Sequence, residues 1–172
     1  MPNELKILIS QQDIKKAIAR LASEIRKDYK NKNPLMIGIL KGSFIFMSDL
    51  IRKIDIPLEI DFVGLSSYGS GTESSGKIKV SSRLSRPVKD RHIIVVEDII
   101  DTGLTTQHFI EYLKSKKAAS ISLCALTEKP SRRKTETTID YLGFTVPDKF
   151  IVGYGIDWDE KYRYLPDICY IE

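Results

Sequence analysis

Ile93-Ile94-Val95-Val96 is an unbroken run of β-branched apolar residues, and the chain continues from it as Glu97-Asp98-Ile99-Ile100-Asp101-Thr102-Gly103-Leu104-Thr105-Thr106. A short run that is apolar at every position is typical of a strand buried on both faces of a parallel sheet. Beyond the glycine, Phe109, Tyr112 and Leu113 recur at helical spacing, so a helix is expected to begin near Thr105. The segment therefore predicts a buried strand, a tight turn and a helix.

Other parts of the chain repeat this pattern. Residues 35–40 are apolar throughout and residues 121–126 are apolar except for Ser122, so they predict two more buried strands. Ser10 and Asp13 form an approximate capping box for a first amphipathic helix, and a second helix is expected from Phe44. Alternating strands are expected at 58–63 and 78–84, with shorter ones near 141–144 and 150–154. The expected fold class is α/β, with a mainly parallel sheet flanked by helices.

Composition limits the class of protein. The chain has 172 residues, 42% of them hydrophobic, with 27 Lys+Arg against 23 Asp+Glu and a formal net charge of +4. These values predict one soluble domain over residues 1–172 without a strongly basic nucleic-acid surface, and the Arg132-Arg133-Lys134 cluster is expected to be a solvated turn. Two cysteines cannot form a disulfide framework, and no apolar run approaches a membrane span, so a cytoplasmic protein is expected.

The segment after the buried strand has the chemistry of an anion site. Gly103 permits a tight turn, and the backbone amides of residues 102–106 would point outward at the helix N-terminus, with threonine hydroxyls as further donors. Glu97 and Asp98 do not suit a phosphate but could hold sugar hydroxyls, directly or through Mg²⁺. A sugar phosphate would satisfy both requirements. The alternative is that the acidic residues only complement the helix dipole.

Two further glycine-containing segments could also bind phosphate. Lys41-Gly42-Ser43 follows a predicted buried strand and precedes a helix, so it is a second candidate anion site, although an ordinary turn remains an alternative. Residues 71–78 nearly match a nucleotide-binding P-loop, but Ile78 replaces the hydroxyl residue that would bind Mg²⁺ and a strand-like segment follows where a helix is required. A P-loop phosphotransferase is therefore disfavoured.

Residues 97–106 resemble the loop that binds phosphoribosyl pyrophosphate (PRPP) in type I phosphoribosyltransferases, in the form found in the hypoxanthine-guanine phosphoribosyltransferases. Four other segments match the same family in the same order along nearly the whole chain, namely 40–43, 66–68, 129–130, and 147–154 continuing to Asp157 and Arg163. Trp158 stands where the family commonly has tyrosine. Five ordered matches are far more specific than any one of them. The fold implied is a parallel sheet flanked by helices, with a small hood formed by the N-terminal and C-terminal segments.

The resemblance also implies roles for individual residues. It implies PRPP or nucleotide binding by Glu97, Asp98, Ile99, Ile100, Asp101, Thr102, Gly103, Leu104 and Thr105. It implies pyrophosphate binding by Lys41, Gly42, Ser67, Tyr68 and Arg163, with a cis peptide bond between Leu40 and Lys41. It implies purine binding by Lys129, Phe150, Ile151 and Asp157, and metal binding by Glu97, Asp98 and Asp157. From the residues alone, Lys129 could equally be a surface lysine and Phe150 a core aromatic.

The implied activity is purine salvage. An enzyme of this type transfers phosphoribose from PRPP to N9 of hypoxanthine or guanine, giving IMP or GMP and pyrophosphate, with Mg²⁺ as cofactor. Asp101 would act as general base or acid at N7, and residues 66–77 would form a mobile loop that closes over the site and excludes water. A homodimer or homotetramer is also implied. The alternative is a regulator of the same fold that senses PRPP or nucleotides and acts by RNA attenuation.

Overall fold

The computed structural model describes residues 4–67, 78–80 and 84–172. Within them, six strands form one sheet in the order β4-β3-β2-β5-β6-β7. The strands are β2 (Leu35–Leu40), β3 (Glu59–Ser67), β4 (Ile78–Val80), β5 (His92–Ile100), β6 (Ser120–Glu128) and β7 (Tyr141–Thr145). All neighbours run parallel except β4, which pairs antiparallel with β3. The predicted α/β architecture is confirmed.

Helices cover both faces of this sheet. Helices α1 (Gln11–Tyr29) and α2 (Phe44–Ile54) pack on one face in an apolar cluster that includes Ile94 and Val96 of β5. Helix α3 (Leu104–Ser115) packs on the other face in a cluster with Ile93 and Val95. Successive residues of β5 thus alternate between two cores, as the continuous apolar run predicts.

The two ends of the described chain form a second, antiparallel sheet. Its strands are β1 (Leu5–Ile9), β8 (Ile151–Val152) and β9 (Ile168–Ile171), in the order β1-β9-β8. Ile9, Ile151 and Ile168 pack into the same apolar cluster as α1 and α2. This small sheet is the hood that the family resemblance implies, although its strands β1 and β9 were not predicted from the sequence pattern.

Strand β3 differs from its predicted form in length, and it contains a buried carboxylate. In this strand the apolar Ile60 is 42% exposed, whereas the charged Asp61 is only 9% exposed. The Asp61 carboxylate accepts hydrogen bonds from the backbone N–H groups of Phe62, Ser85 and Arg86 at 2.7–3.0 Å. These bonds compensate the burial of its charge. Of the strand predicted at 78–84, β4 covers 78–80, and Leu84 lies outside any strand.

Two further observations concern the cysteines and the membrane-spanning potential of the helices. Cys124 and Cys169 are both buried and free of disulfide bonding. Over the described parts of the chain, no helix combines the length and apolar character that crossing a bilayer requires.

Candidate active site

The connection between β5 and α3 has the geometry of an anion site. We call residues 101–106 the phosphate turn. Gly103 caps α3 with φ at +79°, in the left-handed region that favours glycine, and the first helical hydrogen bond runs from the Gln107 amide to the Gly103 carbonyl at 2.9 Å. The amides before residue 107 therefore precede the intrahelical ladder and can bind an anion. The helix begins at Leu104, one residue before the predicted start.

One hydroxyl of the phosphate turn is directed away from it. Thr106 is 3% exposed, and its hydroxyl donates to Glu97 Oε1 at 2.8 Å. The Thr106 hydroxyl is therefore a partner of the buried Glu97 carboxyl group, whereas it was predicted to be a further donor to a phosphate. Thr102 accepts a hydrogen bond from the Leu104 amide at 3.4 Å, which helps to shape the turn.

The segment that follows β6 packs against the phosphate turn. The Lys134 amide donates to the Thr102 carbonyl at 2.9 Å, and a Cβ on Gly103 would lie 2.4 Å from Thr135 Oγ1. This segment contains the basic cluster that was predicted to be a solvated turn, and that prediction is wrong for Arg133, whereas Arg132 and Lys134 are exposed. Arg132 Nε donates to Asp101 Oδ1 at 2.7 Å, and the Arg133 side chain is 14% exposed and pairs with Glu128 at 3.4 Å.

The acidic residues of the motif lie in two different environments. Glu97 and Asp98 are buried in β5, at 7% and 9% exposure, whereas the Asp101 side chain is 44% exposed. Burial is the main reason that the pKa of Glu97 is raised to about 8, and the neighbouring charge of Asp98 adds to it. Burial also raises the pKa of Asp98 to about 6, opposed by nearby backbone amides and by the charge of Arg163. Burial therefore favours the protonated form of both carboxyl groups.

Asp98 lies against the candidate pyrophosphate loop after β2. A Cβ on Gly42 would lie 1.9 Å from Asp98 Oδ2, so the loop and the carboxylate pack without room for a methyl group. The peptide bond between Leu40 and Lys41 is cis, as the resemblance implies. Ser43 is fully buried, and its hydroxyl donates to the Ile39 carbonyl at 2.6 Å, which holds the loop against the end of β2.

Residues 155–163 complete this side of the site. Arg163 donates to the Gly155 carbonyl at 2.8 Å and pairs with Asp157 Oδ1 at 2.9 Å and Glu160 Oε2 at 3.2 Å. Glu160 Oε1 in turn accepts from Lys41 Nζ at 2.8 Å. We call the group Lys41, Gly42, Asp98, Glu160 and Arg163 the cationic junction. Glu160 was not among the predicted site residues, because an acidic residue among surface charges carries no distinguishing pattern.

The candidate purine residues lie beside the phosphate turn. Lys129 is 7% exposed, its amide donates to the Ile100 carbonyl at 3.0 Å, and its ammonium group has no acceptor among the described residues. The surface alternative for this lysine is therefore wrong. Phe150 is 53% exposed and meets Trp158 edge-on, with ring centroids 6.0 Å apart, so the core alternative is wrong as well. Ile151 is buried in the hood strand β8.

The predicted metal ligands do not form a closed cage. Nowhere in residues 4–67, 78–80 and 84–172 do three or more His, Cys, Asp or Glu side chains gather as a metal-binding cluster. Asp98 and Asp157 are near enough for the charge of Asp157 to raise the pKa of Asp98. Buried carboxylates beside an anion site suit Mg²⁺, which binds through one or two carboxylates, water and substrate phosphates.

One predicted element lies largely beyond the described residues. The backbone of Ser67 pairs with Ile78 in the antiparallel β3–β4 ladder. Tyr68 and the rest of the predicted catalytic loop to residue 77 lie outside the described residues.

Comparisons with known proteins bear on the family and the fold of the chain. The family model described as "Phosphoribosyl transferase domain" matches residues 5–159. The Bacillus subtilis "Hypoxanthine-guanine phosphoribosyltransferase" is 47% identical over 163 residues, which cover 95% of this chain and 91% of that protein. The Listeria monocytogenes "Bifunctional protein TilS/HprT" is 44% identical over 98% of this chain, which spans only 26% of that longer protein. A crystal structure of a hypoxanthine phosphoribosyltransferase from Staphylococcus aureus superposes with a TM-score of 0.94 at 41% identity, covering 97% of this chain and 91% of that one.

Proposed function

The chain belongs to the phosphoribosyltransferase family, and from that membership we propose that it transfers the 5-phosphoribosyl group of PRPP to N9 of hypoxanthine or guanine. The products would be IMP or GMP and pyrophosphate. The observation that carries this choice of acceptor is Lys129, whose backbone amide is bonded to Ile100 just before the phosphate turn. Its side chain is largely buried, and within the described residues its ammonium group has no acceptor. The ammonium group is therefore available to a ligand, and the 6-oxo group of a purine supplies an acceptor for it.

PRPP would lie along the carboxyl ends of the central strands. Its 5-phosphate would bind the amides of the phosphate turn, residues 102–105, and its ribose hydroxyls would bind Glu97 and Asp98. Lys41, Gly42 and Arg163 would hold the pyrophosphate, together with Ser67 and Tyr68 of the loop. The close packing of Gly42 on Asp98 supports this placement, because it brings the pyrophosphate end and the ribose end of one ligand to adjacent side chains.

The purine would lie between Lys129 and the exposed ring of Phe150, with backbone groups of Ile151 at its edge and Asp157 nearby. As N9 forms its bond to C1 of the ribose, the bond from C1 to pyrophosphate oxygen breaks and pyrophosphate leaves with the electron pair. The base loses a proton, which Asp101 accepts at N7. Accessibility favours Asp101 for this step, since it is half exposed while Glu97 and Asp98 are buried.

Mg²⁺ fits the donor set described above and would be held by Glu97, Asp98 and Asp157 together with oxygens of the ligand. When bound, it supplies positive charge that neutralises the pyrophosphate as a leaving group.

An RNA-binding regulator of the same fold is less well supported. It would need a basic face, but Arg132 and Arg133 of the basic cluster are engaged by Asp101 and Glu128. We further propose a cytoplasmic homodimer or homotetramer. The two free cysteines support the reducing compartment, and the oligomer rests on the family resemblance.

The test is a steady-state panel with PRPP and Mg²⁺, in which pyrophosphate release is followed with hypoxanthine, guanine, xanthine and adenine. We expect turnover with at least one 6-oxopurine and little with adenine, whose amino group cannot accept a hydrogen bond from Lys129. Lys129→Gln should lower kcat/KM about 10–100-fold, the value of a charged hydrogen bond. Lys114→Gln, on the last turn of α3, is the matched control. Equal turnover of adenine would contradict the role of Lys129.

A further inference from the structure

Glu160 occupies a defined position at the tip of a tight hairpin. Trp158 and Lys161 exchange backbone hydrogen bonds at 3.1 and 3.0 Å, and the two residues between them both have positive φ, +52° at Asp159 and +60° at Glu160. The Glu160 amide donates to Asp157 Oδ2 at 2.9 Å. The turn therefore fixes the direction in which the Glu160 side chain leaves the backbone.

From this position the carboxylate bridges two cations that come from separate parts of the chain. One oxygen accepts from Lys41 Nζ at 2.8 Å and the other from Arg163 at 3.2 Å. These hydrogen bonds, that from Lys41 foremost, hold the pKa of Glu160 below its ordinary value, so the group is ionised near neutral pH. Asp159, its neighbour on the same turn, pairs instead with Lys161 at 3.2 Å.

Both cations belong to residues assigned above to pyrophosphate. A carboxylate offers two oxygens to them, as one edge of a phosphate group would. We propose that Glu160 is an internal anion that competes with pyrophosphate and PRPP for Lys41 and Arg163 and must leave these cations when either ligand binds. This inference rests on the proposed function, because it takes Lys41 and Arg163 as ligands of pyrophosphate.

The consequence is a competition between one carboxylate and a ligand of higher negative charge. Glu160 keeps Lys41 and Arg163 close together before the ligand arrives, and it lowers the net affinity for pyrophosphate by the energy of its own two contacts. It therefore favours release of the product. A group with a purely structural role in the hairpin would have the opposite effect when removed, since a disordered Arg163 would bind pyrophosphate less well.

The experiment compares Glu160→Gln with Asp159→Asn in the full chain. The two variants make the same change in net charge at adjacent positions, but only the first removes the contacts with Lys41 and Arg163. Calorimetric titration with inorganic pyrophosphate and Mg²⁺ should show binding about three- to tenfold tighter for Glu160→Gln, the range expected for losing two exposed ion pairs. Asp159→Asn should bind as the wild type does. Product inhibition by pyrophosphate should strengthen by the same factor.

The outcomes separate this inference from the function on which it rests. If the wild type releases pyrophosphate from PRPP and binds it, but Glu160→Gln binds it no more tightly than Asp159→Asn, the inference is overturned and the proposed function stands. Weaker binding by Glu160→Gln would overturn it as well and assign the residue a supporting role. A wild type that neither binds pyrophosphate nor releases it from PRPP would overturn both.

Discussion

The phosphate turn and the cationic junction lie at the same edge of the sheet but are built in different ways. All groups of the phosphate turn come from one continuous segment, and backbone amides provide most of its donors. The cationic junction takes its members from three distant segments, at residues 41–42, 98 and 160–163, which meet in ion pairs and in packing contacts. The contact between Gly42 and Asp98 is too close for an added methyl group. Activity should therefore tolerate many side-chain changes in the phosphate turn, whereas small side-chain changes in the cationic junction should lower it.

The largest expected effect is an exception to that tolerance. Asp101→Asn changes the one side chain of the phosphate turn that would take part in chemistry, and turnover should fall about 10²–10⁴-fold, the usual contribution of a general acid or base. Binding of PRPP should change little, because the turn's amides remain. Single-turnover rates and PRPP titrations of the same variant separate the two effects. An unchanged rate would refute the role of Asp101.

A smaller effect, on the order of 10²-fold in kcat/KM for PRPP, is expected for Gly42→Ala. The added Cβ would lie 1.9 Å from Asp98 Oδ2 and force the loop or the carboxylate to move by about an ångström. Gly103→Ala is the matched change in the phosphate turn. It meets a positive φ and the Thr135 side chain, which can rotate aside, so we expect roughly 1 kcal/mol of lost stability and a milder loss of activity. Equal losses of activity in Gly42→Ala and Gly103→Ala would contradict the claim that the cationic junction is less tolerant of substitution than the phosphate turn.

The buried acids predict how stability depends on pH. The pKa of Glu97 is raised from 4.5 to about 8 in the ligand-free protein, so the stability contributed by its protonated form is complete below about pH 4.5. That stability is lost as the pH rises through about 8. We expect Glu97→Gln to abolish this decline, a change of a few kcal/mol at pH 9, measured by denaturant unfolding across the pH range. Glu111→Gln, an exposed change on α3, should leave the decline intact.

The smallest effect is expected where the phosphate turn meets its supporting segment. Arg132→Gln removes the 2.7 Å contact to Asp101 and should lower kcat only severalfold, because both side chains are about half exposed and solvent screens the pair. Arg52→Gln, an exposed ion-pair change on α2, is the control. A loss as large as that of Asp101→Asn would mean that Arg132 takes part directly in the reaction.

Features built from one continuous segment could be predicted from the sequence, whereas features built from distant segments could not. The strand β5, the glycine cap of α3 and the helices α1 and α2 could be predicted because their signals are local: apolar runs, helical spacing and capping residues. Strands β1 and β9 were missed because each is a short segment that forms a strand by pairing with a partner far away in the chain, and the residues paired between them are 159 to 166 positions apart. The burial of Asp61 could not be predicted for a similar reason, since two of its three amide donors, Ser85 and Arg86, lie 24 and 25 residues away in the chain.

By itself, the sequence determined the succession of the central strands and the helices along the chain, the position of the anion-binding turn and the family to which the chain belongs. These features depend on backbone preferences and on residues close together in the chain. The tertiary structure decided which charges meet: that Arg132 contacts Asp101, that Glu160 bridges Lys41 and Arg163, and that the Lys129 side chain is largely buried. Ion pairing and burial depend on distance in space, and packing of the sheet and the hood sets those distances between residues that no local pattern connects.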